Sequence, residues 1–200
     1  MKKIKLLPAL AFACAAAGAN AATFNFTGDI QYHNDVIYTY FTLDADATNV
    51  RVWTDSFQSG DNFDPITALW DSAGNLLDEN DDDASINPST QTYYDSGFQI
   101  ASLAAGSYLF TVATYSNFAL GSNLSDGFAY DGETPIALAL WDQPANDYAM
   151  NPHWSVWVDG ADSATNPDTD PVNPVPEPAS IALLGLGLAG LGFSRKKKAA

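Results

Sequence analysis

The sequence predicts an all-β protein, an antiparallel β-sandwich of about nine strands with an address segment at each end. Three observations carry this. Between residues 22 and 158 apolar and β-branched side chains recur with a period of two, not 3.6. The apolar runs are short and bounded by Asp, Asn, Ser and Gly, the residues of tight turns. The acids comprise 21 Asp and only 3 Glu, and Asp favours turns over helix interiors.

The strands follow in order. Phe24, Phe26 and Ile30 open the first. Residues 36–43 are β-branched or aromatic almost throughout, and residues 50–54 repeat the pattern after an Asp/Asn turn. Residues 66–70 end at Asp71, Ser72, Ala73, Gly74 and Asn75, a turn signal before Leu76 and Leu77. Residues 98–100, 108–113, 136–141 and 154–158 complete the set. Trp154 and Trp157 are three apart, so one regular strand sends them to opposite faces. Domain limits follow: residues 1–21 a leader, 22–158 the body, 159–175 an Asp/Pro-rich linker and 176–200 a terminal signal.

Charge narrows function. The chain has 8 basic and 24 acidic residues. Seven of the basic ones are terminal: Lys2, Lys3, Lys5, Arg195, Lys196, Lys197 and Lys198. Arg51 is the single cation between them. Such a body cannot neutralise phosphates, so nucleic acid and anionic membrane surfaces are excluded as partners. Salt bridges cannot organise the fold. The lone Cys14 lies in the leader, which leaves the body without thiol or disulfide chemistry.

The leader has a basic start, an apolar run from Leu6 to Ala17, and small residues at Ala19 and Ala21. This is a signal peptide, with cleavage by signal peptidase expected after Ala21. At the other end residues 179–193 form a second apolar run, including Ile181, Leu184, Leu188 and Phe193. As a helix it reaches ~22 Å against a hydrocarbon core of ~30 Å, a short membrane span. The basic stop Arg195, Lys196, Lys197 and Lys198 stays cytoplasmic, which puts the body on the other side. Pro176, Glu177 and Pro178 stand just before the span. Gly185, Gly187 and Gly190 match dinucleotide-binding spacing, but no βαβ unit can follow so near the end, and they read as a small-residue helix face.

Pro-Glu-Pro, a Leu/Gly-rich span and a basic tail, in that order, resemble the PEP-CTERM sorting signal of exopolysaccharide-producing Gram-negative bacteria. The resemblance implies recognition by an exosortase, a membrane-embedded cysteine protease. It also implies removal of the tail near Pro176–Pro178, transient anchoring through the C-terminal helix, and delivery of the body to the cell surface or extracellular matrix.

The densest acid cluster is Asp78, Glu79, Asn80, Asp81, Asp82 and Asp83. Its mutual repulsion is relieved either by water and salt or by a hard cation. Ca²⁺ takes six to eight oxygens, which Asp78, Asn80, Asp81, Asp82 and Asp83 offer in quantity. The EF-hand spacing is absent. A solvated turn and a Ca²⁺ site both stand as readings. The order Asp64 to Leu77, then Asn80-Asp81-Asp82, then Ala105-Gly106-Ser107-Tyr108 resembles bacterial pre-peptidase C-terminal domains over about residues 35–115. That resemblance implies a jelly-roll-like sandwich serving as an accessory module, often Ca²⁺-linked. Residues 116–158 depart from it, and their acidic loop at 126–133 is either an insertion or a specificity surface.

No catalytic pattern stands out. The histidines are His33 and His153, with no G-x-S-x-G elbow and no zinc spacing. A non-enzymatic structural or adhesive role is expected. The alternative is an exopolysaccharide-binding module that stacks sugars on some of its 5 Trp and 9 Tyr. A hydrolase is the third reading.

Overall fold

The computed structural model describes residues 22–143 and 150–167. Ala19, Ala21, the motif Pro176–Pro178, the span at 179–193 and the basic stop fall outside these residues.

Nine strands form two antiparallel sheets. They are β1 (Ala22–Asp29), β2 (Val36–Leu43), β3 (Ala47–Thr54), β4 (Pro65–Asp71), β5 (Leu76–Asn80), β6 (Gly97–Leu103), β7 (Gly106–Thr114), β8 (His153–Ala161) and β9 (Ser163–Thr165). One sheet runs β1-β8-β3-β6 and the other β5-β4-β7-β2-β9. The first eight strands are therefore nested: β1 pairs with β8, β2 with β7, β3 with β6 and β4 with β5. This is the strand order of a jelly roll.

Period-two patterning builds the core. Phe24, Phe26, Val50, Val52, Trp154, Val156 and Val158 line the inner face of the four-stranded sheet. Ile37, Phe41, Leu69, Phe110 and Val112 meet them from the five-stranded sheet. Trp154 is inward and buried, whereas Trp157 lies on the outer face, stacked on Trp53 with ring centroids 5.8 Å apart. The predicted split of these two residues holds. Strand β4 is buried on both faces, which explains its unbroken apolar run. Its outward Ala68 and Trp70 pack with Leu109 beneath Phe128, which arrives from the β7–β8 connection. Ala119, Leu124 and Phe128 of this connection thus cover part of the outside of the five-stranded sheet.

Two expectations need correction. Residues 136–141 do not form a strand. Ala137 makes one isolated bridge to Tyr32, and Leu138–Leu140 is a 3₁₀ turn. Leu138 is buried while Ile136 and Leu140 are exposed, so the alternating run finds no sheet edge to join. The ninth strand is instead the polar Ser163–Thr165, paired with β2. The sandwich therefore extends past residue 158 into the stretch whose composition reads as linker. Asn166 still takes part, its side-chain amide donating to Thr39 Oγ1 at 3.0 Å.

Gly97 opens β6 directly opposite Trp53, at φ +154°. A Cβ there would meet the Val52 carbonyl oxygen and the Trp53 Cα. Both are backbone atoms that cannot swing aside. Gly97→Ala should destabilise the sandwich by about 2 kcal/mol or more. A lower urea midpoint with an unchanged m-value would show it.

Candidate metal centre

The β4–β5 hairpin positions the site. Asp71 ends β4 and its carboxylate accepts the amides of Ala73 and Asn75, both at 2.9 Å. These bonds hold its carboxyl below the usual carboxylate range, the Asn75 side chain contributing most. The chain folds back here, and Thr67 pairs with Asn80 at the far end of the ladder. Continuing that register sets the residues after β5 beside those before β4. The register alone would set Asp83 opposite Asp64; beyond the last ladder pair the chain departs from it, and Asp81 and Asp82 come against Asp64 instead.

Neighbouring bonds fix both segments. The Asp64 carbonyl accepts the Tyr115 amide at 2.8 Å. Asn80 donates from its side chain to the Gly97 carbonyl at 3.0 Å, and its own carbonyl accepts Ser96 Oγ at 3.0 Å. Asp95 is the second buried acid at this end. It accepts from the Phe57 amide at 3.0 Å, the Thr92 amide at 2.7 Å, and the hydroxyls of Thr54 and Thr92, both at 3.1 Å. Its carbonyl receives the Asp83 amide at 2.9 Å.

Asp64, Asp81 and Asp82 each offer a carboxylate oxygen, and the three oxygens lie within 4.8 Å of one another. Asp64 is 2% exposed. One oxygen of Asp64 and one of Asp81 are buried without a hydrogen-bond partner. Burial, then the charges of Asp82, Asp81 and Asp95, push the Asp64 carboxyl up to about 8. Asp81 is raised by burial and by Glu79, and Asp82 by burial and by Asp81. Burial also raises Asp95 against the pull of its hydrogen bonds.

The predicted loop ligands divide. Asp81 and Asp82 stand in the cluster. Asp78 is exposed on β5 and accepts the Glu79 amide at 3.0 Å. Asn80 is anchored through its side-chain nitrogen to the Gly97 carbonyl. Asp83 is turned into its own turn, accepting the Ser85 amide at 2.9 Å and the Ser85 hydroxyl at 2.5 Å. Asp78 and Asp83 are placed elsewhere because strand alternation and local turn bonds, not acid density, decide where each side chain points. Asp64 escaped the sequence reading. The hairpin register places it at the same end as the acid loop, but opposite Asp83 rather than Asp81 and Asp82.

The other chemistry-bearing residues are engaged in scaffolding. The Ile136 amide donates to Nδ1 of the buried His33 at 3.2 Å, which leaves the ring proton on Nε2 to donate to Glu133 at 3.2 Å. His153 lies 3.4 Å from Asp29 at the start of β8. Arg51 is bound to Asp159 on the outer face of the four-stranded sheet. Trp53, Trp70, Trp141 and Trp154 are buried, whereas Tyr93 is 61% exposed.

The fold and site define an antiparallel two-sheet sandwich with a carboxylate cluster at one end of its β4–β5 hairpin. Residues 174–196 of the same chain match the PEP-CTERM protein-sorting motif, as the C-terminal resemblance implied. No curated protein and no solved structure matches the chain. The pre-peptidase likeness of the body rests on its motifs alone. Among the described residues no helix is long and apolar enough to cross a membrane.

The raised carboxyls make stability depend on pH in a definite sense. Each binds its proton more tightly in the folded than in the unfolded chain. Folding without metal therefore takes up protons between the ordinary carboxylate range and about pH 8, and stability falls as pH rises through that window. Asp71 acts oppositely, but only on acidification below that window. In EDTA the protein should melt higher at about pH 5 than at about pH 8. Calorimetry giving the reverse order would contradict the assignment.

Proposed function

We propose that this chain is an exported, non-enzymatic protein of the cell surface or extracellular matrix, sorted by an exosortase and acting there as a structural or adhesive module. The observation that carries the reading is the match of residues 174–196 to a protein-sorting motif. Pro176, Glu177 and Pro178 form the recognised site, the apolar run presents it at the membrane, and Arg195–Lys198 keep the tail cytoplasmic. Proline favours extended backbone and is disfavoured inside helices, which suits a protease site. Signal peptidase acts first, after Ala21, and the exosortase then removes the tail. A non-enzymatic body accords with both imidazoles holding chain segments together rather than flanking a nucleophile.

Changing Pro176, Glu177 and Pro178 together to Ala in the native host should abolish tail removal. Mass spectrometry should then find the full C-terminus in the membrane fraction, with the parent shorter and at the surface. Identical masses would remove the sorting reading.

Exopolysaccharide binding is the second reading, and one observation favours it. Tyr93 projects from the β5–β6 loop, packed edge-on against Tyr94 at 4.6 Å and Phe57 at 5.1 Å between ring centroids. An exposed, rigidly backed ring suits stacking on a sugar face. Tyr93→Ala should weaken retention on the host's own exopolysaccharide at least tenfold without altering the melting temperature. Unchanged retention would leave the structural role alone.

A further inference from the structure

We propose that Asp64, Asp81 and Asp82 form a divalent-cation site suited to Ca²⁺, which clamps the loop after β5 onto the start of β4. The inference is independent of where the protein is sorted.

The argument begins with neutralisation. Three carboxylate oxygens within 4.8 Å of one another repel strongly in a partly buried setting. Among the described residues Arg51 is the one Lys or Arg, and it is bound to Asp159 on another face. Protein cations therefore cannot relieve the cluster. A neighbouring acid shows that the fold can satisfy a buried carboxylate when it needs only hydrogen bonds. Asp95 accepts two backbone amides and two hydroxyls. Asp64, equally buried, has an oxygen with no donor, and so does Asp81. Leaving such an atom unsatisfied costs on the order of 1–3 kcal/mol, more for a charged group. A solvated acidic turn does not produce this. Asp64 comes from a different segment, is almost wholly shielded from water, and still contributes an oxygen to the cluster.

The donors select the ion. All three are hard carboxylate oxygens, and neither histidine belongs to the cluster. Two oxygens each ~2.4 Å from one Ca²⁺ are at most ~4.8 Å apart, and no pair of the three carboxylate oxygens exceeds that limit. Ca²⁺ tolerates irregular ligation and completes its shell with water or carbonyls. Mg²⁺ demands a tighter octahedron and keeps most of its water. The exposed Asp82 leaves a side of the site open for entry and for water ligands.

The test uses the full chain stripped with EDTA and titrated near neutral pH with CaCl₂, MgCl₂, or NaCl at matched ionic strength. Calorimetric titration should give one Ca²⁺ per chain. At a hundred times Kd, Ca²⁺ should multiply the folding constant about a hundredfold, raising the melting temperature, with a weaker response to Mg²⁺. Asp64→Asn should lower Ca²⁺ affinity at least tenfold, yet melt close to the metal-free parent because the amide keeps the shape of the carboxyl it replaces. Asp82→Asn, at an exposed position, should lower affinity similarly and covers the case in which Asp64→Asn does not fold. Asp78→Asn and Asp83→Asn should bind as the parent does. Equal responses to all three salts, retained affinity in both Asp64→Asn and Asp82→Asn, or a comparable loss in Asp83→Asn would overturn the site.

Discussion

Carboxylates in this body must be satisfied without cations, and much of its loop structure follows from that. One arginine faces an excess of aspartates, so the acids turn to backbone amides. Asp35 accepts the amides of Gln31 and Tyr32, and Asp46 that of Ala105. Asp126 accepts from Asn123, Asp131 from Phe128, and Asp162 from Asp44. Asp35, Asp126 and Asp131 pin local bends, whereas Asp46 and Asp162 tie together segments far apart in sequence. The preference for Asp over Glu has the same origin, since a short side chain reaches an amide two to four residues away and a longer one overshoots. Acidity here is a folding device as well as a source of solubility.

The hairpin of β4 and β5 applies this device twice, with different results. At its closed end Asp71 is matched to two amides in an exposed turn. At its open end Asp64, Asp81 and Asp82 converge, with amides too few for the oxygens. The same antiparallel register that orders the sheet creates the crowding. Asp95, a short way along the loop, has the hydrogen-bond shell that Asp64 lacks. The contrast sets a structural acid apart from one that calls for a further partner.

Much of the sandwich was legible because period-two burial is written into strands such as β1, β2 and β8. Trp154 and Trp157 could be assigned to opposite faces from spacing alone. Legibility failed where pairing is decided by available edges. Residues 136–141 alternate well but meet no free strand, while Ser163–Thr165 has little β character and pairs because the edge of β2 lies beside it. Composition likewise places the linker too early, since the Asp- and Pro-rich stretch begins before the last ladder pair, Tyr40 with Thr165. The acid loop was found by density, which picks out Asp81 and Asp82 but also Asp78 and Asp83. Asp64 lay beyond a local reading because its proximity to them is set across a whole hairpin.

The nesting of the strands also sets the order in which the molecule can assemble. β1 leaves the ribosome first, yet its partner β8 ends at Ala161. The inner pair, β4 with β5, needs only a few residues of loop to close, whereas the outermost pair must close a loop of more than a hundred. Loop-closure entropy favours the centre as the starting point, with the flanking pairs added outward. The first strand made is among the last to find its place. Until β8 is made, β1 has no strand to pair with, and Phe24 and Phe26 have no sandwich to be buried in.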